Sequence, residues 1–168
     1  MTLALAAMPI EVAGVATRLD IIVLIGSILL ALGFSFLCSI AEAALLSVTP
    51  SYIESLRSAH PKRAARLRRL KLNNVDRSLA AILTLNTIAH TVGAILSGAK
   101  ATVVFGSAWF GLFSAIMTLM ILFLSEIVPK TLGAVYWKQL IGPTALFVQG
   151  LIALLYPIVW VSERLTQW

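Results

Sequence analysis

The chain has 168 residues, of which 60% are apolar and only 12% are charged. Because soluble domains carry about 25% charged residues, this composition excludes an ordinary soluble domain and indicates a single membrane domain. A net charge of +6 would suggest nucleic acid in a soluble protein. Here the basic residues cluster beside an apolar run, so membrane orientation and anionic lipid explain the charge, and we expect no nucleic-acid partner.

The first apolar run predicts a membrane span over 21–47, after a non-cytoplasmic leader at 1–20. The leader lacks the basic start of a signal peptide, and the run exceeds the roughly 20 residues that cross a bilayer. Ser35, Ser39 and Glu42 are spaced i, i+4 and i+7, so they share one helix face. A serine in a span usually bonds its own i−4 carbonyl, but two serines beside an acid also suit a polar site.

A basic segment follows the first span. From Arg57 to Arg77 the sequence has eight Lys or Arg and a single acid. The positive-inside rule therefore places a basic helix, at about 51–77, in the cytoplasm. Leu67 and Leu70 give it a thin apolar stripe. Two interpretations stay open, a solvated connector and a helix lying on anionic headgroups, and the second is favoured.

A second span is predicted over 79–96, with Ser78 as its N-cap, followed by a short outside turn at 97–108. Asn86 and His90 lie at i and i+4, on one face of this helix. An asparagine in lipid commonly joins helices by hydrogen bonds, although its amide oxygen can also bind a cation. Nothing near His90 in the sequence resembles a zinc ligand set.

The third span, predicted over 109–129, returns to the cytoplasm and ends in the run Ser-Glu-Ile-Val-Pro-Lys. Proline has no N–H, so the carbonyl four residues before Pro129, that of Ser125, loses its helical partner. A free carbonyl, a hydroxyl and the Glu126 carboxylate are then neighbours in or near the bilayer. These are the hard oxygen ligands that Mg²⁺ requires. The alternative is a kinked helix end with Glu126 among the headgroups.

The last apolar run, 139–161, is interrupted by Gly142-Pro143, Gly150 and Pro157. It suits either a fourth span or a bent helix at the inner face of the membrane. The sequence has no phosphate loop, nucleophile–base pair or second catalytic acid, so we do not expect an enzyme.

Three of these elements together resemble the CorC/cyclin M family of magnesium transporters. They are Ser35…Ser39…Glu42-Ala43-Ala44-Leu45-Leu46-Ser47 in the first span, Ile82-Leu83-Thr84-Leu85-Asn86-Thr87 in the second, and Ser125-Glu126-Ile127-Val128-Pro129-Lys130 in the third. Their order and spacing match the family, and the resemblance covers nearly the whole chain from about residue 25.

The resemblance implies an all-α integral membrane fold over 21–168. Each protomer of a homodimer would have three transmembrane helices and a juxtamembrane belt helix at about 139–161. It also implies a multi-pass protein of the cell membrane, either inner or plasma, with the N-terminus outside and the basic loop in the cytoplasm near anionic headgroups.

The function that the resemblance implies is Mg²⁺ transport, with a dehydrated Mg²⁺ bound between the three helices and Na⁺ as the coupling ion for export. Carried over residue by residue, the ligands are the hydroxyls of Ser35 and Ser39, the amide of Asn86, the carbonyl of Ser125 and the carboxylate of Glu126. Four further residues are expected to support this site: Pro129, Glu42, His90 and Lys130. The alternative is a Mg²⁺-sensing membrane module that regulates a partner without transporting.

This sequence departs from the family pattern at three positions. The family often has glycine where Ser125 stands, serine where Ala41 stands and a second asparagine where His90 stands. A carbonyl ligand survives a glycine-to-serine exchange, whereas the histidine leaves the role of that second amide open. The family also usually carries paired cytoplasmic CBS domains after the membrane part, and this chain stops at Trp168. It is either a truncated part of a longer protein or a member whose regulatory part is elsewhere.

Overall fold

The computed structural model describes residues 16–166, and this part of the chain is almost entirely helical, with no strand among its elements. The predicted all-α fold is therefore confirmed. The α-helices in chain order are α1 (Arg18–Ser47), α2 (Pro50–Ala59), α3 (Pro61–Arg68), α4 (Val75–Phe105), α5 (Phe110–Met120), α6 (Val128–Val135), α7 (Trp137–Leu154) and α8 (Tyr156–Thr166). Two π-helical segments, Arg69–Asn73 and Ile121–Ile127, and a 3₁₀ turn, Ser107–Trp109, connect some of them.

Within the described part, three helical stretches are long and apolar enough to cross a membrane. They are Arg18–Ser47, Val75–Phe105 and the continuous Ser107–Val135, hereafter the third span. The last of these combines the 3₁₀ turn, α5, a π segment and α6. The three spans predicted from the apolar runs are thus present as helices of spanning length. The predicted belt at 139–161 consists of α7 and the start of α8.

The first helix begins inside the segment expected to be a leader at 1–20, most of which lies outside the described residues. Thr17 caps α1, because its hydroxyl accepts from the Asp20 N–H at 3.3 Å while the Asp20 carboxylate accepts from the Thr17 N–H at 3.0 Å. This reciprocal capping box fixes the helix start at Arg18. Asp20 also pairs with Lys100 of α4 at 2.7 Å, which joins the start of the first span to the second span near its C-terminal end.

The fourth helix is longer than the predicted span at both ends. It begins at Val75, so the expectation that Ser78 is its N-cap is wrong. The buried Ser78 hydroxyl instead lies within hydrogen-bond distance of two carbonyls, that of Leu70 in the π segment at 2.9 Å and that of Asn74 at 3.0 Å. The helix continues up to Gly106, whose φ of +86° ends it. The turn expected at 97–108 is correspondingly shorter.

The basic segment at 51–77 forms two helices and a π turn rather than one helix, because α2 ends at Ala59 and Pro61 begins a new helix after the single residue His60. Pro50 and Pro61 each occupy a first turn, where the missing N–H costs nothing. Leu67 and Leu70 are buried in the hydrophobic core with residues of α1 and α7. The apolar stripe therefore packs inside the protein.

The opposite side of the basic segment is exposed, since Arg68 and Arg69 face outward. Lys71 is held differently, with its ammonium donating to the Leu46 carbonyl at 3.0 Å near the end of α1. A cation is stabilised there by the negative end of the helix dipole. Partial burial lowers the pKa of Lys71.

The first helix is central and contacts α4, α6, α7 and the π segment Ile121–Ile127. Two glycines allow this close packing. A Cβ on Gly133 would lie 2.8 Å from the Ile40 carbonyl oxygen, and one on Gly93 would overlap the Ala31 side chain. Small residues at such contacts let membrane helices approach closely. The polar faces of α1, α4 and the third span are thereby brought together.

Candidate metal centre

The carbonyl of Ser125 lies at the centre of the polar cluster. The Ser39 hydroxyl donates to this oxygen at 2.7 Å, and the Ser35 hydroxyl lies 3.4 Å from it. All three serines are buried. The α1 serines thus bond across to the third span, and not to their own i−4 carbonyls. Pro129, four residues after Ser125, provides no N–H to compete for the carbonyl.

The local backbone around Ser125 is a π-helix, over Ile121–Ile127. Single π turns inside α-helices occur often at functional sites. The Ser125 hydroxyl is used within this turn, because it donates to the Ile121 carbonyl at 2.7 Å. The π turn was not predicted from the sequence. The apolar run before it carries no signal for it, and Pro129 marks only the point where the α-helix resumes.

His90 connects all three spans at this level. Its Nε2 lies 2.5 Å from the Ser35 hydroxyl of α1, and its Nδ1 lies 3.7 Å from Oε1 of Glu126. Glu126 is partly exposed, whereas Ser35 is fully buried. The imidazole ring of His90 therefore lies between the Glu126 carboxylate and the serine cluster. The sequence does not predict this arrangement.

Asn86 lies one helical turn before His90, on the same face of α4. Its amide oxygen Oδ1 is buried and has no hydrogen-bond partner among the described residues. An unpaired buried acceptor costs about 1–3 kcal/mol, and such groups in native proteins usually have a partner, an ordered water or an ion. The amide oxygen thus does not serve the helix-joining role that asparagines commonly have in membranes.

Glu42 and Lys130 form an ion pair at 3.3 Å, between α1 and α6. Glu42 lies about one turn beyond Ser39, and Lys130 directly follows Pro129. The pair joins the two helices next to the cluster and neutralises Glu42. Glu126 is therefore the acid at the serine cluster that has no Lys or Arg partner among the ion pairs of the described residues.

The donor set fits a small, hard divalent cation. In an octahedron with ligands at about 2.1 Å, neighbouring oxygens are about 3.0 Å apart, and the two hydroxyl-to-carbonyl distances of 2.7 and 3.4 Å bracket that value. Among the described residues no group of three or more His, Cys, Asp or Glu could hold a metal. The cluster thus combines hydroxyl, amide and carbonyl oxygens with one carboxylate, unlike a zinc or iron site. The predicted ligand roles remain predictions.

Three helices of spanning length, with a buried polar cluster between them, define a multi-pass membrane protein that has an internal polar site. Residues 25–168 match the family model described as the Cyclin M transmembrane N-terminal domain. The chain belongs to this family, and the resemblance stated from the three sequence elements is confirmed.

Curated relatives agree with this assignment. The chain is 37% identical over 143 residues to the UPF0053 protein sll1254 of Synechocystis, an alignment covering 85% of this chain and 41% of the relative. It is 28% identical to a chloroplastic DUF21 domain-containing protein of Arabidopsis thaliana, At1g55930, and 22% identical to the UPF0053 inner membrane protein YfjD of Escherichia coli. Each of these alignments covers 76% of this chain, but only 19% and 29% of the respective relatives. The chain thus spans less than half the length of these relatives.

Proposed function

We propose that this chain is the membrane domain of a Mg²⁺ transporter that binds the dehydrated ion between α1, α4 and the third span. The observation that carries the proposal is the convergence of two α1 hydroxyls on a carbonyl that Pro129 leaves without its helical partner. The proposed ligands are Ser35, Ser39, Asn86, Ser125 and Glu126.

The chemistry of Mg²⁺ explains why so many oxygens are needed. The ion holds its waters tightly and demands near-octahedral coordination, so a site that strips the waters must replace them. Five protein oxygens leave one position for water or another group. Glu126 contributes the single formal charge of the set. Movement of the ion would require the three spans to shift about this point, as in alternating access.

The proposal includes export driven by Na⁺, a homodimer and a location in the cell membrane, each supported by the family resemblance. The test is Mg²⁺ flux in proteoliposomes containing the purified full chain, with and without an opposing Na⁺ gradient. We expect flux that the Na⁺ gradient increases. Mg²⁺ binding without any flux would favour the sensing module, and the absence of both binding and flux would overturn the proposal.

Contacts at both ends of α7 support its placement as a belt at the cytoplasmic face. At its start, the Trp137 ring meets Tyr52 of α2, with the ring centroids 4.8 Å apart. Just beyond its end, the Tyr156 ring lies 5.8 Å from the guanidinium of Arg77, at the start of α4. Both partners belong to, or border, the basic segment that the positive-inside rule places inside. A helix crossing the membrane would have only one end there.

We expect a cysteine introduced by Arg164→Cys to react with membrane-impermeant reagents from the cytoplasmic side only. A belt keeps Arg164 on the inner side, whereas a fourth span would carry it outside. Native Cys38 is buried and provides an unreactive background. Lys62→Cys and Ser107→Cys, at exposed positions, are the inside and outside references. Labelling of Arg164→Cys together with Ser107→Cys would contradict the belt.

We expect Pro129→Ala to weaken Mg²⁺ binding about fivefold, although the proline is not a ligand. Alanine restores an N–H that can bond the Ser125 carbonyl, and one such hydrogen bond is worth about 1 kcal/mol. Isothermal titration calorimetry on the detergent-purified chain measures the effect. Pro143→Ala, an exposed proline inside α7, is the matched control. Equal affinities of all three proteins would remove the carbonyl from the ligand set.

A further inference from the structure

His90 brings two nitrogen atoms to a cluster whose other members contribute oxygens. The imidazole lies between α1 and the third span, with Nε2 2.5 Å from the Ser35 hydroxyl and Nδ1 3.7 Å from Oε1 of Glu126. Both ring nitrogens therefore face members of the proposed ligand set, and neither points away into lipid.

The separation of Nδ1 and the Glu126 carboxylate suits an ion shared between them. At 3.7 Å the two atoms are too far apart for a direct hydrogen bond. Two donors that each lie about 2.1 Å from one metal ion can be up to about 4.2 Å apart. The observed distance falls inside that limit, so both atoms can bind the same ion with little movement.

Ser35 holds the ring in the orientation that metal binding needs. When Nε2 donates its hydrogen to the Ser35 hydroxyl, that hydroxyl can donate onward to the Ser125 carbonyl, 3.4 Å away. Nδ1 then presents its lone pair toward the Glu126 carboxylate, and two electron-rich groups face each other favourably only with a cation between them. Metal-binding histidines are typically fixed in this way, through a hydrogen bond from the second ring nitrogen.

We propose that His90 is itself a metal ligand, with Nδ1 taking the position that the Ser35 hydroxyl would have in an all-oxygen site while Ser35 orients the ring. We further propose that this nitrogen extends the site's selectivity toward Zn²⁺ and similar first-row divalent ions. Imidazole suits such ions, whereas Mg²⁺ is served best by oxygen alone. The inference rests on the proposed function, because it uses the same ion site. It adds a nitrogen ligand and a selectivity that an all-oxygen site would lack.

The first test asks whether a nitrogen contacts the ion. Mn²⁺ uses the same oxygen ligands as Mg²⁺ and is paramagnetic, so electron spin-echo envelope modulation reports any bound ¹⁴N. We expect an imidazole ¹⁴N signal from the full chain in detergent loaded with Mn²⁺. The signal should disappear in His90→Asn and persist in His60→Asn, which changes the second of the two histidines, an exposed residue between α2 and α3.

The second test measures selectivity, as the concentrations of Zn²⁺ and of Mg²⁺ that displace bound Mn²⁺. Loss of the nitrogen in His90→Asn should lower the preference for Zn²⁺ over Mg²⁺ by at least about tenfold, the lower end of what changing even a supporting residue costs at metal sites. His60→Asn should behave as wild type.

The outcomes separate this inference from the proposed function. Mn²⁺ and Mg²⁺ binding with no ¹⁴N signal in the wild-type chain, or an unchanged Zn²⁺ preference in a folded His90→Asn variant, would overturn the nitrogen ligand while leaving the oxygen site intact. If neither Mn²⁺ nor Mg²⁺ binds the wild-type chain, both the oxygen site and the nitrogen ligand are wrong. Because the ¹⁴N measurement is made on the wild-type chain, it does not depend on the variant folding.

Discussion

Glu126→Gln is expected to abolish Mg²⁺ binding while the protein still folds. Glutamine keeps the size of the side chain and one oxygen, but it removes the formal charge of the proposed ligand set. At an effective dielectric constant near 20, two unit charges 4 Å apart attract by about 4 kcal/mol, and here a divalent ion would be closer. The affinity loss should be at least about 100-fold, measured by isothermal titration calorimetry in detergent.

Two further variants show whether the charge or its position matters. Glu126→Asp keeps the charge on a shorter side chain and should weaken binding without abolishing it. Glu54→Gln removes an acid on the exposed surface of α2, where it pairs with Arg57, and should bind Mg²⁺ as wild type does. Circular dichroism and gel filtration check the fold of each variant. Wild-type affinity in Glu126→Gln would end the ion-site proposal.

Much of the fold follows from the apolar runs. Continuous apolar stretches of spanning length located three spans and, with the basic segment, indicated their expected orientation, whereas the interrupted run at 139–161 left a fourth span open. The boundaries were less predictable, because they depend on local details. Thr17 and Asp20 form a capping box that starts α1 early, and α4 runs on until the positive φ of Gly106. A hydropathy pattern shows neither the capping box nor the positive φ.

Part of the candidate site could also be predicted, since it rests on chain-local chemistry. The absence of a proline N–H at Pro129 indicated an available Ser125 carbonyl, and helical spacing placed Ser35 and Ser39 on one face. The structure brings these groups into contact. It also places Asn86 on the α4 face that carries His90, with its amide oxygen unpaired among the residues that the structure describes.

The features of the site that were not predicted involve contacts between separate helices or the local shape of the third span. The contact of His90 with Ser35 joins residues 55 positions apart, and nothing local to either residue predicts it. The π turn at Ile121–Ile127 likewise lacks a sequence signal. The contact of His90 with Ser35 arises from packing, which depends in turn on close contacts such as that of Gly133 with α1.

Asn86→Leu is expected to raise stability without Mg²⁺ and to remove stabilisation by Mg²⁺. Leucine has the same number and branching of side-chain heavy atoms and no unpaired acceptor, so the variant avoids a cost of about 1–3 kcal/mol that the buried Oδ1 imposes. It also lacks the amide ligand. The measurement is thermal unfolding in detergent, with EDTA and with saturating Mg²⁺. In EDTA the variant should melt above the wild type, while added Mg²⁺ should raise the melting temperature of the wild type but not that of Asn86→Leu.

This pattern distinguishes a ligand from a structural residue, because the two roles predict opposite changes in the melting temperature measured in EDTA. If Asn86 joined helices by hydrogen bonds, its loss would lower the melting temperature in EDTA. Thr87→Val is the control on the same helix, since the exposed Thr87 hydroxyl donates only to the Leu83 carbonyl within α4 among the bonds described. It should respond to Mg²⁺ as the wild type does. A variant Asn86→Leu that is less stable in EDTA and still stabilised by Mg²⁺ would show that the unpaired oxygen is not a ligand.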